Sequence, residues 1–130
     1  WSSFQELALT FNDYPEFSES IPELYEDADQ YRLGFEFRAS QSIALQLGTL
    51  FDETPQPPSA MTPLLGDGDR TSVTAGLSWI KGGFRLDLGY EYLMMDERST
   101  WDSEGGSLSG YNGHYESSAN LAGASMTFTF

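Results

Sequence analysis

Apolar and polar residues alternate with a period of two in six stretches of this chain, which predicts β-strands rather than helices. The clearest stretch sets Tyr31, Leu33, Phe35 and Phe37 on one face and Arg32, Gly34, Glu36 and Arg38 on the other. Ile43, Leu45 and Leu47 oppose Ala44, Gln46 and Gly48 in the next. Val73, Ala75, Leu77 and Trp79 oppose Ser72, Thr74, Gly76 and Ser78 in the one after. Further on, Phe84, Leu86, Leu88, Tyr90 and Tyr92 face away from Arg85, Asp87, Gly89 and Glu91. The last stretch places Ala122, Ala124, Met126, Phe128 and Phe130 opposite Leu121, Gly123, Ser125, Thr127 and Thr129. The first, over residues 1–11, is the least regular, with Leu7, Leu9 and Phe11 on one side. Same-face residues lie two apart, not three or four, so a helical reading fails.

The connections follow a rhythm of their own. Segments 12–30, 52–70 and 95–116 are long, polar and rich in Gly, Pro, Ser or acid, whereas 39–42 and 81–83 are short. Alternation of long and short links is the pattern of a transmembrane β-barrel, with extended extracellular loops and brief periplasmic turns. In that reading Phe130 ends an alternating strand on the periplasmic side. The expectation is an all-β, antiparallel transmembrane barrel in the bacterial outer membrane.

Charge placement agrees with that topology. Of the twenty acids, seven fall in 12–30, four in 52–70 and five in 95–116, and the remaining four sit on polar strand faces. None of the apolar faces carries a charge. A charge turned toward mid-bilayer lipid costs ~2–4 kcal/mol for Arg, so confinement to one face implies a wet or mutually paired interior. An antiparallel sandwich or a soluble ligand-binding barrel also segregates charge to one face, and stays open as a soluble alternative.

Composition narrows the function class. No apolar run approaches the ~20 residues a membrane helix needs. Nine Phe, seven Tyr and three Trp suit two membrane interfaces. There is no Cys, hence no disulfide framework or thiolate metal site. A net charge of −14 argues against nucleic acid as a partner. Gly66-Asp67-Gly68-Asp69 lacks the EF-hand arrangement and reads as a turn with solvated acids, so no metal or other cofactor is expected. His114 is the single histidine and no nucleophile motif accompanies it, so no enzyme activity is expected. Asn112-Gly113 reads as a turn before the last strand.

Three places resemble the FadL/TodX family of outer-membrane transporters for long-chain fatty acids and other hydrophobic compounds. They are the opening Trp1-Ser2-Ser3-Phe4-Gln5-Glu6-Leu7; the run Phe51-Asp52-Glu53-Thr54-Pro55-Gln56-Pro57, followed by Pro63 and Asp67-Gly68-Asp69-Arg70; and the order of Gly76, Gly89 and Tyr90 before an aromatic-rich terminal strand. Gly123-Ala124-Ser125-Met126-Thr127-Phe128 is also similar to the signal read by the barrel-assembly machinery. The resemblance implies that residues 1–130 form the six C-terminal strands of one fourteen-stranded barrel domain. Six strands leave two open edges whose unpaired backbone groups cannot face hydrocarbon. The remaining strands are therefore expected as partners, from a preceding part of the same protein or from another chain.

The implied function is passive outer-membrane transport of small hydrophobic molecules such as fatty acids or hydrocarbons. A structural or docking barrel subunit of a surface complex is the other membrane reading. Arg32, Glu36, Arg38, Arg85, Asp87 and Glu91 are candidates for lining a ligand path, or for a cross-strand ion-pair network that fills the lumen. Tyr14, Phe17, Ile21, Leu24 and Tyr25 are candidates for an external hydrophobic groove, or for simple packing of their loop. That first long loop has no Lys or Arg, which favours a neutral compound over a fatty-acid carboxylate. Outer-membrane lipid and lipopolysaccharide complete the expected partners.

Overall fold

A computed structural model describes residues 2–63, 66–102 and 104–130. Trp1, where the first strand was expected to begin, lies outside the described residues, as do Leu64, Leu65 and Ser103 of the expected long loops. Among the described residues seven strands run in chain order: β1 (Glu6–Leu9), β2 (Glu19–Pro22), β3 (Gln30–Arg38), β4 (Ile43–Asp52), β5 (Arg70–Lys81), β6 (Phe84–Ser99) and β7 (His114–Phe128). No helix among the described residues is long and apolar enough to cross a membrane.

Two compact units divide the chain. One comprises Gln30–Asp52, Arg70–Met95 and Ser117–Phe130. It holds an antiparallel five-stranded sheet in simple sequential order, β3-β4-β5-β6-β7. Its register keeps the two faces of the alternation in step. Tyr31, Phe51 and Thr71 align with Met94; Phe35, Leu47 and Ala75 align with Tyr90; Gly34, Gly48 and Thr74 align with Glu91. A one-residue slip anywhere would turn an aromatic row onto the charged face, so the pattern itself locks the pairing.

The apolar face of this sheet has no second layer. Phe35 and Met126 are each 67% exposed, and Phe37 and Phe128 66%. The only buried hydrophobic residues among those described are Ala60 and Met61, both in the other unit. A sandwich would instead bury these rings against a facing sheet.

Tight links close the hairpins at one end. Gly82 has φ +59°, as the first central residue of a type II′ turn requires, and carries the chain from β5 to β6. Gly83 accepts a backbone hydrogen bond from Thr129 N–H at 2.8 Å. Any side chain at Gly83 would strike the Thr129 carbonyl.

The second unit comprises Trp1–Asp29, Glu53–Asp69 and Asp96–Glu116, which are the expected long loops plus the opening segment. Here the expected first strand differs from the structure. Among the described residues of 1–11 only Glu6–Leu9 is strand, and it pairs with β2 rather than with the large sheet. Leu7 meets Ile21 across this short ladder. The alternation in 1–11 is too weak to mark a full apolar face, so a local partner inside the first long loop captures it. The loop expected at 95–116 is also shorter than its polarity suggests, because β6 continues to Ser99 and β7 begins at His114. Asn112-Gly113, expected as a turn before the last strand, forms none; the turns lie earlier, with positive φ at Gly105, Gly106 and Gly110.

Candidate functional site

The charged face of the sheet is a continuous hydrogen-bonded belt. Arg38 Nε donates to Glu36 Oε1 at 3.1 Å, and Gln46 Nε2 donates to Glu36 Oε2 at 3.5 Å and to Ser78 Oγ at 3.1 Å. Ser78 in turn donates to Asp87 Oδ1 at 2.5 Å, and Arg85 grips both oxygens of Asp87 at 2.8–3.0 Å. The belt therefore crosses β3, β4, β5 and β6 without a break. Gly76 leaves the room Gln46 needs, since a Cβ there would sit 2.8 Å from Gln46 Oε1. A separate pair, Arg70–Asp52 at 2.8 Å, stands at the other end of β4 and β5.

Four of the six candidate lining residues, Glu36, Arg38, Arg85 and Asp87, thus come together in one network. Arg32 and Glu91 do not join it. They flank a shallow groove floored by Gly34, Gly48 and Thr74. Asp52, Arg70, Gln46 and Ser78 share the face and were not among the expected lining residues. Gln46 and Ser78 carry no charge, and the signal that finds them is their register opposite Glu36 and Asp87.

The loop unit is built around Gln56, which is 1% exposed. Its Nε2 donates to Glu23 Oε2 at 3.4 Å and to the Ala60 carbonyl at 3.2 Å, while Oε1 accepts from Asp67 N–H at 3.1 Å. Its carbonyl accepts from Arg98 Nη1 at 2.6 Å. One residue of the middle loop therefore fastens both other loops. Ser107 Oγ donates to the Met61 carbonyl at 2.7 Å, and Leu108 N–H to Ser59 at 2.8 Å. Asn112 Oδ1 accepts from Ser107 N–H and Thr100 Oγ, holding the third loop to itself. Close to the start of the unit, the Ser2 backbone N–H donates to Asp27 at 3.1 Å and holds that carboxyl down to about 2.

Where the three loops converge lies a cleft of ≈ 730 Å³, lined on its apolar side by Ile21, Pro22, Ala60, Pro63, Leu108 and Tyr111. Of the five aromatic and aliphatic residues expected to form an external groove, Ile21 alone lines it. Tyr14 and Phe17 pair with each other at a 3₁₀ turn, ring centroids 6.3 Å apart, and stay 60% and 67% exposed. Leu24 adopts φ +52° and Tyr25 stacks edge-on against Phe4 at 5.0 Å. The prolines and Leu108 were missed because no local period marks them.

A sheet apolar on one face, charged and paired on the other, and joined by long loops has a counterpart among known families. The model of the outer membrane protein transport proteins (OMPP1/FadL/TodX) matches residues 1–130. The chain belongs to this family. No curated protein matches it in sequence. Among solved structures it is similar to a FadL homologue from Pseudomonas aeruginosa, at 20% identity and a TM-score of 0.82. That match covers 98% of this chain and 30% of the homologue, so the chain spans about a third of a family barrel. The five-stranded sheet is accordingly an unclosed arc of a membrane barrel.

Proposed function

We propose that the protein is a transporter of the bacterial outer membrane that admits small hydrophobic molecules by passive diffusion and has no enzymatic role. The observation that carries this reading is the division of the sheet. The pairs Arg38–Glu36, Arg85–Asp87 and Arg70–Asp52 lie on one face, and the opposite face is an exposed field of Phe, Leu, Tyr and Met. Family membership supplies the class of cargo in general terms. Hydrophobic solutes are captured at the long loops, pass along the barrel, and leave toward the lipid or the periplasm. Arg32 and Glu91 border the path, and the belt from Arg38 to Arg85 stiffens the wall. Lipid and lipopolysaccharide contact the outer face, and the remaining barrel strands pair with the open edges of β3 and β7.

Uptake of a hydrophobic fluorescent probe into vesicles containing the whole protein tests the proposal. Uptake above that of empty vesicles supports transport. A heat-modifiable, fully folded barrel that passes no probe counts against it and favours a docking or scaffold barrel.

A further inference from the structure

The cleft where the three loops meet has the volume of a small-molecule site, which runs ~300–1,000 Å³. Its walls are mainly apolar, with hydroxyls from Ser20, Thr62 and Ser109. Among the described residues lining it none is Lys, Arg or His, and the one carboxylate is Glu19.

The surrounding charge is lopsided. The loop unit holds sixteen Asp and Glu against one Arg or Lys, Arg98, for a formal −15; the sheet unit holds four acids against five bases, for +1. The protein's whole negative charge therefore belongs to the loops. Arg98 does not offset it toward a ligand, because its guanidinium is committed to the carbonyls of Gln56 and Asp67 at 2.6 and 3.3 Å. His114 is engaged with Glu97 at 3.1 Å. A carboxylate ligand entering this cleft would find no cation to meet it and a like charge at the wall.

From this, and resting on the transport reading above, we infer that the cleft is a binding seat for uncharged hydrophobic molecules, and that the loop unit's charge turns away carboxylate amphiphiles of the same chain length. A hydrocarbon fills the apolar wall, and a single hydroxyl finds Ser109 or the Tyr111 phenol. An ionised fatty acid loses hydration at its head group, meets no cation among the described lining residues to offset that loss, and faces Glu19 at the wall.

Paired photo-crosslinking in lipid nanodiscs at pH 8 tests the inference, using diazirine-bearing 1-dodecanol and dodecanoate on the whole protein. The expected result is labelling at Ile21, Leu108 or Tyr111 by the alcohol, with an apparent affinity about tenfold that of the carboxylate, or about 1.4 kcal/mol. Glu19→Lys narrows that gap to threefold or less, and Leu108→Asp abolishes alcohol labelling. Raising the salt from about 0.01 to 0.5 M also narrows the gap, because exposed charges are screened. Equal labelling by the two probes, labelling that survives Leu108→Asp, or a gap untouched by Glu19→Lys overturns it. Heat-modifiable migration of each variant shows that the barrel is intact. Probe uptake into vesicles reads the transport proposal separately: normal uptake with no cleft labelling removes the seat and leaves transport standing.

Discussion

Replacing Gln56 with Met tests whether the loops form a unit with its own stability. The side chain is almost wholly buried, and Met keeps its length while removing both polar atoms. Three groups then lose a partner: the Asp67 N–H, the Ala60 carbonyl and the Glu23 carboxylate, which is itself fully buried. Each stranded group costs about 1–3 kcal/mol, and the contacts to Ala60 and Glu23 are long, so the lower end applies to both. A total of about 3 kcal/mol follows, or roughly a hundredfold in the opening equilibrium of the loop unit. Hydrogen exchange at the Ala60, Met61 and Asp67 amides should accelerate by that factor. The barrel should keep its unboiled gel migration, since the belt on the sheet shares no hydrogen bond with Gln56. Gln56→Glu should be worse at neutral pH, because it sets a second carboxylate against Glu23. Unchanged exchange at these amides, or loss of heat-modifiable migration together with the loops, would refute the reasoning.

Three further outcomes follow from single contacts. Gly83→Ala forces a Cβ into the Thr129 carbonyl, a backbone atom that cannot step aside, and should weaken the docking of the β7 end by about 1–3 kcal/mol, read as a lower melting temperature of the unboiled band. Ser78→Val removes the hydroxyl that bridges Gln46 to Asp87 and should destabilise the barrel by about 1–3 kcal/mol in denaturant titration; a neutral result would mean water takes over the bridge. Asp27 has its carboxyl depressed by the Ser2 N–H, so its contribution is present above its ordinary pKa of 3.8 and is lost as pH falls toward about 2. The protection of the Ser2 amide, taken relative to its intrinsic exchange rate at each pH, should therefore fall across that window in the wild type, and Asp27→Asn should flatten the fall.

The large sheet was legible because strand pairing on a half-apolar ladder is a local problem. Tyr31 to Phe37, Val73 to Trp79 and Phe84 to Tyr92 each carry the period within one segment, and the register then has a single arrangement that keeps all three faces in step. Nothing comparable exists in 1–11, where the expected spanning strand reduces to Glu6–Leu9 on a local partner. The loop unit was illegible for another reason. Its ties join residues far apart in sequence, such as Arg98 to Gln56 at a separation of 42 and Ser107 to Met61 at 46. They run through backbone carbonyls, which every sequence supplies. Aromatic content drew attention to Tyr14 and Phe17, yet the cleft is walled by Ile21, two prolines and Leu108, each in a segment that is polar on average.

Charge is partitioned in this protein by what each unit can tolerate. In the sheet, Glu36, Asp52 and Asp87 each have an Arg within 3.1 Å, and the unit sums to +1. In the proposed transport role, such a wall sets up little net field for a passing solute. The loops carry −15, and most of those acids are exposed to water, where the bilayer imposes no desolvation cost. Their field reaches about 8 Å at physiological ionic strength, which is ample at a cleft bordered by Glu19. On the transport reading proposed above, discrimination by charge therefore falls to capture and not to passage. Ionic strength should alter which hydrophobic molecules compete for entry while leaving the uptake rate of an uncharged probe at saturation unchanged. A salt-dependent saturated rate would place the selective step in the barrel wall instead.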